Sequence, residues 1–388
     1  MISFEISPEM KMLTETLERF VLKEVVPLEG VVEERGYLPD ELRDPVKKKA
    51  MELGLFALGM PTEVGGGGLS AVELCLADEK IGWVSNALSR HIFGQMYPML
   101  LECTGSQREK YLLPNVQGLK KCAMAITEPG AGSDAASIAT TATRSGSDFV
   151  LNGTKHFISD GDTCDFVVVL AVTDPALRAR GGISLFLVDK DTPGFAVGRT
   201  QKMMGMRGCN QVEMVFDSCR IPETQLLGKL GDGFRIIQKT LGKVRLGNIG
   251  ARAIGMASRV LELSRVYATE RVQFGKPIGD YQMVQKMIAD MALDIYAARN
   301  MVLNAAWDLD QGRDAREKVA MVKVYCSEMA GRVADLGIQI FGGMGYTTDL
   351  PLERIYRDCR VMRIYDGTSE IHRIQIAKSV MRNGLLLD

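Results

Sequence analysis

The feature that most constrains the fold is a sequence pattern that changes twice along the chain. Up to about residue 120, apolar residues recur at helical spacing, interrupted by proline and glycine. Between Cys122 and Leu227, short runs rich in β-branched and aromatic residues alternate with turn signals, as in a small, mainly antiparallel sheet. From Gly231 onwards helical spacing returns. Because the helical and extended patterns are segregated along the chain, we predict a fold of the α+β class.

The C-terminal helical pattern falls into four segments, which favour a bundle. These segments span residues 234–268, 281–311, 314–341 and 368–381. We therefore predict an N-terminal all-α domain at residues 1–122, a middle antiparallel β domain at 123–228 and a C-terminal four-helix bundle at 229–388. Inside the β domain, Asn152-Gly153 lies between two extended runs, which predicts a hairpin turn there.

Composition and charge exclude several classes of function. The 47 basic and 48 acidic residues leave a net charge of −1, so no positive excess indicates nucleic acid or an anionic membrane as a partner. No apolar run approaches the roughly 20 residues of a membrane span, and the N-terminus lacks a signal pattern. The eight cysteines form no CxxC pair and the three histidines are far apart, so no metal-site spacing is present. We expect a cytoplasmic protein without a metal, because dispersed free cysteines fit a reducing compartment.

A carboxylate stands just before the last helical segment, in the stretch Ile364–Arg373. Asp366 is followed by Gly367, which permits a bend, and Thr368 or Ser369 can cap the helix that follows. A carboxylate on such a bend can face a ligand. Taken alone, however, this stretch indicates only a turn before a capped helix.

Three further stretches have the composition of ligand loops. The loop 125–134 is rich in small residues and free backbone amides, so it can hold a planar polar ligand or a phosphate, although an interdomain loop has the same composition. In 270–278, Arg271 and Lys276 flank an aromatic residue and a glycine, as a pyrophosphate site would require. The glycine-rich stretch 339–346 does not match GxGxxG after a strand, so a dinucleotide fold of the parallel α/β type is not supported.

With these four stretches in this order, the chain resembles the acyl-CoA dehydrogenase family of FAD enzymes along essentially its whole length. The resemblance implies that FAD lies between the β domain and the bundle. The positions that match FAD contacts in the family are Ile126, Thr127, Ser133, Phe157, Ser159, Arg271, Gln273, Phe274, Gln339, Gly343, Thr368 and Glu370. Phe157 is a departure, since the family more often has tryptophan at this position.

The same resemblance implies an oligomer and a partner. The positions of Arg271, Gln273 and Phe274 reach the FAD of a neighbouring subunit in the family, so we expect a homo-oligomer, commonly a tetramer built as a dimer of dimers. An electron-transfer flavoprotein, or a similar acceptor, is the expected redox partner. Ser133, Arg245 and Gly367 match positions near the thioester and pantetheine arm of bound CoA.

The resemblance also assigns a catalytic base and a reaction. The family usually has glutamate where this chain has Asp366, and a subset carries the base at the position of Val244, which cannot titrate here. Asp366 is then the base for α,β-dehydrogenation of an acyl-CoA: it takes the α-proton while the β-hydride passes to flavin N5. In the family a backbone N–H beside the base, here that of Asp366 or Glu370, stabilises the thioester oxygen together with a ribityl hydroxyl.

The aspartate raises a question of substrate shape. Its side chain is shorter than that of glutamate by about 1.5 Å, so a ring-shaped or α-branched substrate would fill the gap. Family members that act on alicyclic thioesters such as cyclohexane-carboxyl-CoA use aspartate, which implies such a substrate here. Short-chain, medium-chain or dicarboxylyl-CoA dehydrogenases, an enoyl-CoA reductase, a nitroalkane oxidase-like enzyme and a catalytically silent flavoprotein remain open. Arg90 and His91 could meet an ω-carboxylate, but we expect both on a solvated face.

Overall fold

The computed structural model describes residues 5–384, and its first part is helical. The helices are α1 (Pro8–Phe20), α2 (Glu29–Arg35), α3 (Asp40–Glu52), α4 (Ala71–Ile81), α5 (Asn86–Phe93) and α6 (Leu113–Val116). Local chemistry sets several of their ends. Ser70 and Glu73 form a capping box at the start of α4, and Gly94, at φ +83°, ends α5. The prediction of an all-helical N-terminal region is confirmed.

The middle of the chain forms one sheet. Its strands are β1 (Cys122–Ala125), β2 (Thr141–Ser145), β3 (Asp148–Ser159), β4 (Phe166–Val172), β5 (Ile183–Asp189), β6 (Phe195–Gln201), β7 (Gln211–Pro222) and β8 (Leu226–Leu227). Among the described residues the strand order is β6-β7-β3-β2-β4-β5-β8, with β1 also against β4. Most neighbours are antiparallel, as predicted, but β4 pairs in parallel with both β1 and β2.

The predicted hairpin at Asn152-Gly153 is wrong. Both residues lie inside β3, where the pairing with β7 shifts its register between Leu151 and Gly153. A Cβ on Gly153 would come within 2.4 Å of Thr140 Oγ1, so this glycine serves a bulge with a close neighbour. The turn of the β2–β3 hairpin contains Gly146 instead, at φ +65°.

The C-terminal part is again helical, with one two-stranded ribbon. It contains α7 (Gly233–Val244), α8 (Arg252–Glu270), β9 (Val272–Gln273), β10 (Lys276–Pro277), α9 (Gln282–Asp310), α10 (Arg316–Phe341), α11 (Leu352–Arg360) and α12 (Ser369–Asn383). Helix α10 packs against α8, α9, α11 and α12, so it forms the centre of the predicted bundle. The first predicted segment is divided by a π-helical turn, Arg245–Ala251, and α11 was not predicted.

Buried charges hold the N-terminal helices on the C-terminal ones. Glu29 of α2 is buried and accepts two bonds from Arg259 of α8, at 2.8 and 2.9 Å, and one from Arg354 of α11, at 2.7 Å. Asp358 of α11 accepts the N–H of Met206 in the β domain at 2.5 Å. These contacts tie α11 to both other parts of the chain. Within residues 5–384, we find no helix with the length and apolar character needed to cross a bilayer.

Candidate active site

Asp366 lies on a strained bend between α11 and α12. Its φ is +54° and that of Gly367 is +93°, so two consecutive residues are left-handed. For a residue other than glycine this conformation costs about 1–2 kcal/mol, and such strain concentrates at functional sites. Thr368, not Ser369, caps α12, since its hydroxyl accepts the Ile371 N–H at 3.3 Å.

Two side chains from other turns of the chain hold the Asp366 carbonyl. Arg245, the first residue of the π-helical turn, donates from Nε at 2.8 Å. His372, on the first turns of α12, lies with Nε2 at 3.1 Å from the same oxygen. A Cβ on Gly367 would come within 2.8 Å of His372 Nε2, so the ring packs where only glycine leaves room. The fold thus brings together the predicted residues Arg245, Asp366 and Gly367. The role of His372 was not predicted, because its only sequence signal is its place on the helix that follows Asp366.

The charge state of Asp366 is set by burial and by nearby cations. Burial raises the pKa of its carboxyl, while the positive charges of Arg245, Lys323 and Arg90 oppose the rise. Lys323 of α10 is fully buried, and its amine has no hydrogen-bond partner among residues 5–384. Burial lowers the pKa of Lys323 to about 8 although Asp366 acts to raise it. Lys323 was also missed, because its position reads as an ordinary polar break in a helical pattern.

The β domain supplies a second wall, made by the loop 126–133 and β3. The His156 N–H donates to Thr127 O at 2.8 Å, so the two predicted stretches lie side by side. Phe157, at φ +58°, exposes 48% of its surface and contacts His156, with ring centroids 4.1 Å apart and ring planes tilted by 36°. Ser159 bonds to Gln211 at 3.0 Å. A half-exposed aromatic ring beside a loop of amides and hydroxyls is a surface that a planar ligand can cover.

A buried ion pair fixes the base of this loop. Lys155, with no exposed surface, pairs with Glu128 at 2.8 Å and donates to Ile126 O at 3.0 Å. Glu128 also accepts the N–H groups of Ala139 and Thr140, at 2.6 and 3.0 Å. The Glu128 carboxylate therefore joins this loop both to β3 and to the residues just before β2.

Arg90 and His91 do not lie on a solvated face, contrary to expectation. The Arg90 side chain is 12% exposed and pairs with Asp160, next to Ser159, at 2.9 Å. His91 Nε2 lies 2.7 Å from Gly208 O. Both residues line a cleft whose lining does not include Asp366.

The remaining predicted residues form a separate, exposed group at the ends of the C-terminal helices. Arg271, Gln273 and Phe274 lie on the β9–β10 ribbon, where Phe274 is 95% exposed. Gln339 and Gly343 lie at the exposed end of α10. The rings of Tyr267 and Phe341 stack at 4.1 Å and so join the ends of α8 and α10. Among the described residues, no hydrogen bond or ion pair joins this group to the loop 126–133.

The residues present fit FAD. The exposed face of Phe157 suits a planar ring, and the loop that adjoins β3 at Thr127 offers the hydroxyls of Thr127 and Ser133. Gly130 and Gly132 have no atom within 4 Å of an added Cβ, so their backbone is open to a ligand. The exposed guanidinium of Arg271 suits a pyrophosphate. At the other end of the site, Thr368 caps α12 and Glu370 is exposed on its first turn.

Comparison with known proteins covers nearly the whole chain. Three family models match: acyl-CoA dehydrogenase N-terminal domain at residues 7–118, middle domain at 123–219 and C-terminal domain at 231–381. The chain is similar to acryloyl-CoA reductase (NADH) of Anaerotignum propionicum, with 40% identity over 98% of this chain and 96% of that protein. It is 37% identical to the caffeyl-CoA reductase–Etf complex subunit CarC of Acetobacterium woodii, over 97% of this chain and 99% of that one. Among solved structures, butyryl-CoA dehydrogenase from Megasphaera elsdenii matches with a TM-score of 0.89 and 32% identity, over 98% of this chain and all of that one.

Proposed function

The chain belongs to the acyl-CoA dehydrogenase family of FAD enzymes, and we propose that Asp366 is the base that removes the α-proton of its acyl-CoA substrate. The observation that carries this proposal is the carboxyl of Asp366 itself, whose pKa burial raises on a bend held by Arg245. A raised pKa brings a carboxylate toward the range useful for a general base.

The backbone next to Asp366 can serve the thioester oxygen. Among the described residues, no acceptor takes the Asp366 N–H. The N–H of Glu370 is less suitable, because the carboxylate of Glu370 accepts it and its pKa is lowered by that bond. We therefore assign the N–H of Asp366 as the donor to the enolate-like oxygen, where a fixed dipole stabilises developing charge.

The first group of residues, on the loop 126–133, β3 and the start of α12, would hold FAD in its own subunit. FAD, when bound, supplies the acceptor for the substrate's β-hydride. In the second group, Arg271, Gln273 and Phe274 would reach the FAD of a neighbouring subunit, as the family resemblance implies. Gln339 and Gly343 would contact the adenosine side of an FAD. Support comes from the exposure of Phe274 and of other large apolar side chains on α9 and α12, namely Met283, Leu293, Tyr296, Ile374 and Met381. We propose a homotetramer.

The short side chain of Asp366 supports a bulky acyl group. Its carboxylate is about 1.5 Å further from the substrate than that of a glutamate on the same backbone, and proton transfer needs heavy atoms within roughly 2.6–3.2 Å. An alicyclic group such as cyclohexane-carboxyl, or an α-branched acyl chain, would bring the α-carbon closer. Asp366→Glu should then slow reaction with cyclohexane-carboxyl-CoA and speed it with butyryl-CoA. If both enzymes prefer butyryl-CoA equally, substrate shape does not explain the aspartate.

The reverse direction is a second candidate, because two of the similar proteins are named as reductases of acryloyl-CoA and caffeyl-CoA. When it is protonated, the carboxyl of Asp366, whose pKa burial raises, can deliver that proton to the α-carbon of an enoyl-CoA. Etf, with which one of those relatives is named, is the redox partner that we propose in either direction.

Anaerobic flavin spectroscopy tests the function and its direction. The purified protein should contain one FAD per subunit, and an acyl-CoA of the right shape should bleach its absorbance without added oxidant. In the second arm, dithionite-reduced protein is mixed with the matching enoyl-CoA, and recovery of the absorbance reports reduction of the double bond. If no acyl-CoA bleaches the oxidised protein and no enoyl-CoA reoxidises the reduced protein, the proposal is wrong.

A further inference from the structure

The Asp366 carbonyl has two donors, one on each side of the bend. Arg245 reaches it from the junction of α7 and α8, and His372 reaches it from α12, six residues along the chain. His372 is 1% exposed, and its imidazole lies against Gly367. A peptide in the left-handed region has no helix or strand to fix its orientation, so these two bonds hold the Asp366–Gly367 peptide.

The chemistry of the carbonyl identifies the proton on His372. An oxygen of this kind only accepts, so Nε2 carries the hydrogen and Nδ1 is a bare acceptor. Nδ1 is buried and has no partner among residues 5–384. Burial lowers the pKa of His372 to about 4, and the cations Arg245 and Lys323 act in the same direction. The ring is therefore neutral at physiological pH, and its donor remains in place.

We propose that His372 is a positioning residue which, together with Arg245, orients the Asp366 backbone so that its carboxylate points at the substrate's α-carbon. This inference rests on the proposed role of Asp366 as the base. The side chain of Asp366 has only two torsions beyond the backbone, so the direction of its carboxylate follows the orientation of this peptide. A displacement of about 1 Å in a reacting group can reduce a rate by about 10²-fold.

Two variants can separate the hydrogen bond that His372 donates from the space that its side chain fills. His372→Gln keeps an N–H donor on a side chain of similar reach. His372→Leu keeps bulk but removes the donor. If the hydrogen bond matters, glutamine should rescue what leucine loses; if packing alone matters, both variants should behave alike.

Exchange of the α-hydrogen of 1,3-dithiane-2-carboxyl-CoA in D2O, followed by NMR with the FAD-loaded enzyme, measures the proton transfer alone. This thioester has the proposed ring shape, and sulfur replaces both of its β-carbons, so it can lose an α-proton but no β-hydride. We expect exchange to be about 10- to 100-fold slower in His372→Leu and within about threefold of wild type in His372→Gln. The dissociation constant of the thioester should stay within about threefold in both variants.

Controls separate the outcomes. Leu17 is a fully buried residue of α1, in the N-terminal helical part of the chain, and Leu17→Ala should lower the stability of the protein. This control should still exchange at the wild-type rate per folded, FAD-loaded site. If His372→Leu does not fold, His372→Met replaces it. Wild-type exchange in the leucine or methionine variant, or equally slow exchange in the glutamine variant, overturns the positioning role while leaving Asp366 as the base. Absence of exchange in the wild type, or unchanged exchange in Asp366→Asn, instead overturns the proposed function, and the inference with it.

Discussion

Asp366 combines three properties that rarely occur in one residue. Its backbone is left-handed, its carbonyl is bonded twice, and the pKa of its carboxyl is raised by burial against the pull of three cations. Burial favours the neutral acid, while Arg245, Lys323 and Arg90 favour the carboxylate. A group balanced in this way can both take up and release a proton.

The first prediction concerns the base. Asp366→Asn keeps the shape of the side chain, and asparagine tolerates the left-handed conformation well, so the fold and the FAD content should be retained. Flavin reduction by acyl-CoA should fall by about 10²–10⁴-fold, the usual contribution of a general base. Stopped-flow absorbance measures the rate, and unchanged spectral shifts on thioester binding confirm an intact site. A loss of less than tenfold would show that another group takes the proton.

The second prediction concerns the pH dependence of stability. The pKa of His372 is lowered from 6.5 to about 4, so the unfolded chain binds more protons than the folded one between these values. The contribution of His372 to the free energy of unfolding of the wild type should therefore fall by roughly 3 kcal/mol as pH decreases from 6.5 to 4. His372→Gln has no such group, so the difference in free energy of unfolding between the two proteins should change over that window. Urea unfolding measures both free energies. If their difference stays constant between pH 6.5 and pH 4, His372 is not a buried neutral histidine.

At the scale of elements, the loop 126–140 is held by an ion pair between one of its own side chains, Glu128, and Lys155 of β3. The strand β3 places Lys155 in the core, where it pairs with Glu128, and Glu128 in turn accepts two backbone N–H groups. The ligand-facing hydroxyls of Thr127 and Ser133 lie on this loop. The order of the loop thus depends on one buried pair.

The third prediction tests that pair. Lys155→Met leaves the Glu128 charge buried without its partner, which should lower the free energy of unfolding by about 3–5 kcal/mol. It should also weaken FAD binding. The double variant Lys155→Met/Glu128→Gln removes both charges and should recover part of the stability, since the amide oxygen can still accept one of the two N–H groups. Equal loss in the single and double variants would mean that the charge of Glu128 is not the cause.

At the scale of the whole molecule, a single subunit leaves several of the residues predicted to bind FAD exposed to solvent. Phe157 and Phe274 are both large apolar rings with exposed faces, and they belong to separate groups of residues. Phe274, at 95% exposure, buries very little apolar area within one subunit. We expect a second subunit to cover it.

The fourth prediction addresses this assembly. Arg271→Ala removes the cation assigned to the pyrophosphate of a neighbouring subunit's FAD, and a buried charge left without its partner costs about 2–5 kcal/mol. FAD should dissociate on gel filtration, and the oligomer should shift toward smaller species. Lys286→Ala is the matched control, because it removes an exposed cation of helix α9 whose amine instead pairs with Asp290 at 2.5 Å. Full flavin content and an unchanged oligomer in Arg271→Ala would show that Arg271 is a solvated residue.

The sequence alone determined the features that depend on near neighbours. The order helices–sheet–helices follows from residue periodicity, and a cap at Thr368 or Ser369 and the bend at Gly367 follow from local backbone chemistry, although the structure made the choice of Thr368. The resemblance of four stretches, in order, was enough to identify the family that the comparisons then showed. Asn152-Gly153 misled because a glycine that permits a turn equally permits a bulge, and only the register with β7 decides between them.

Only the tertiary structure decided which distant residues surround Asp366. Arg245, Lys323 and His372 carry no common sequence signal, yet the packing of α10 and α12 and of the α7–α8 junction brings their charges or donors to one residue, Asp366. Arg90 was expected in solvent and is buried on Asp160. The physical reason is that burial, and with it the pKa of a side chain, depends on every element packed around a residue, whereas caps and turns depend on the few residues beside it.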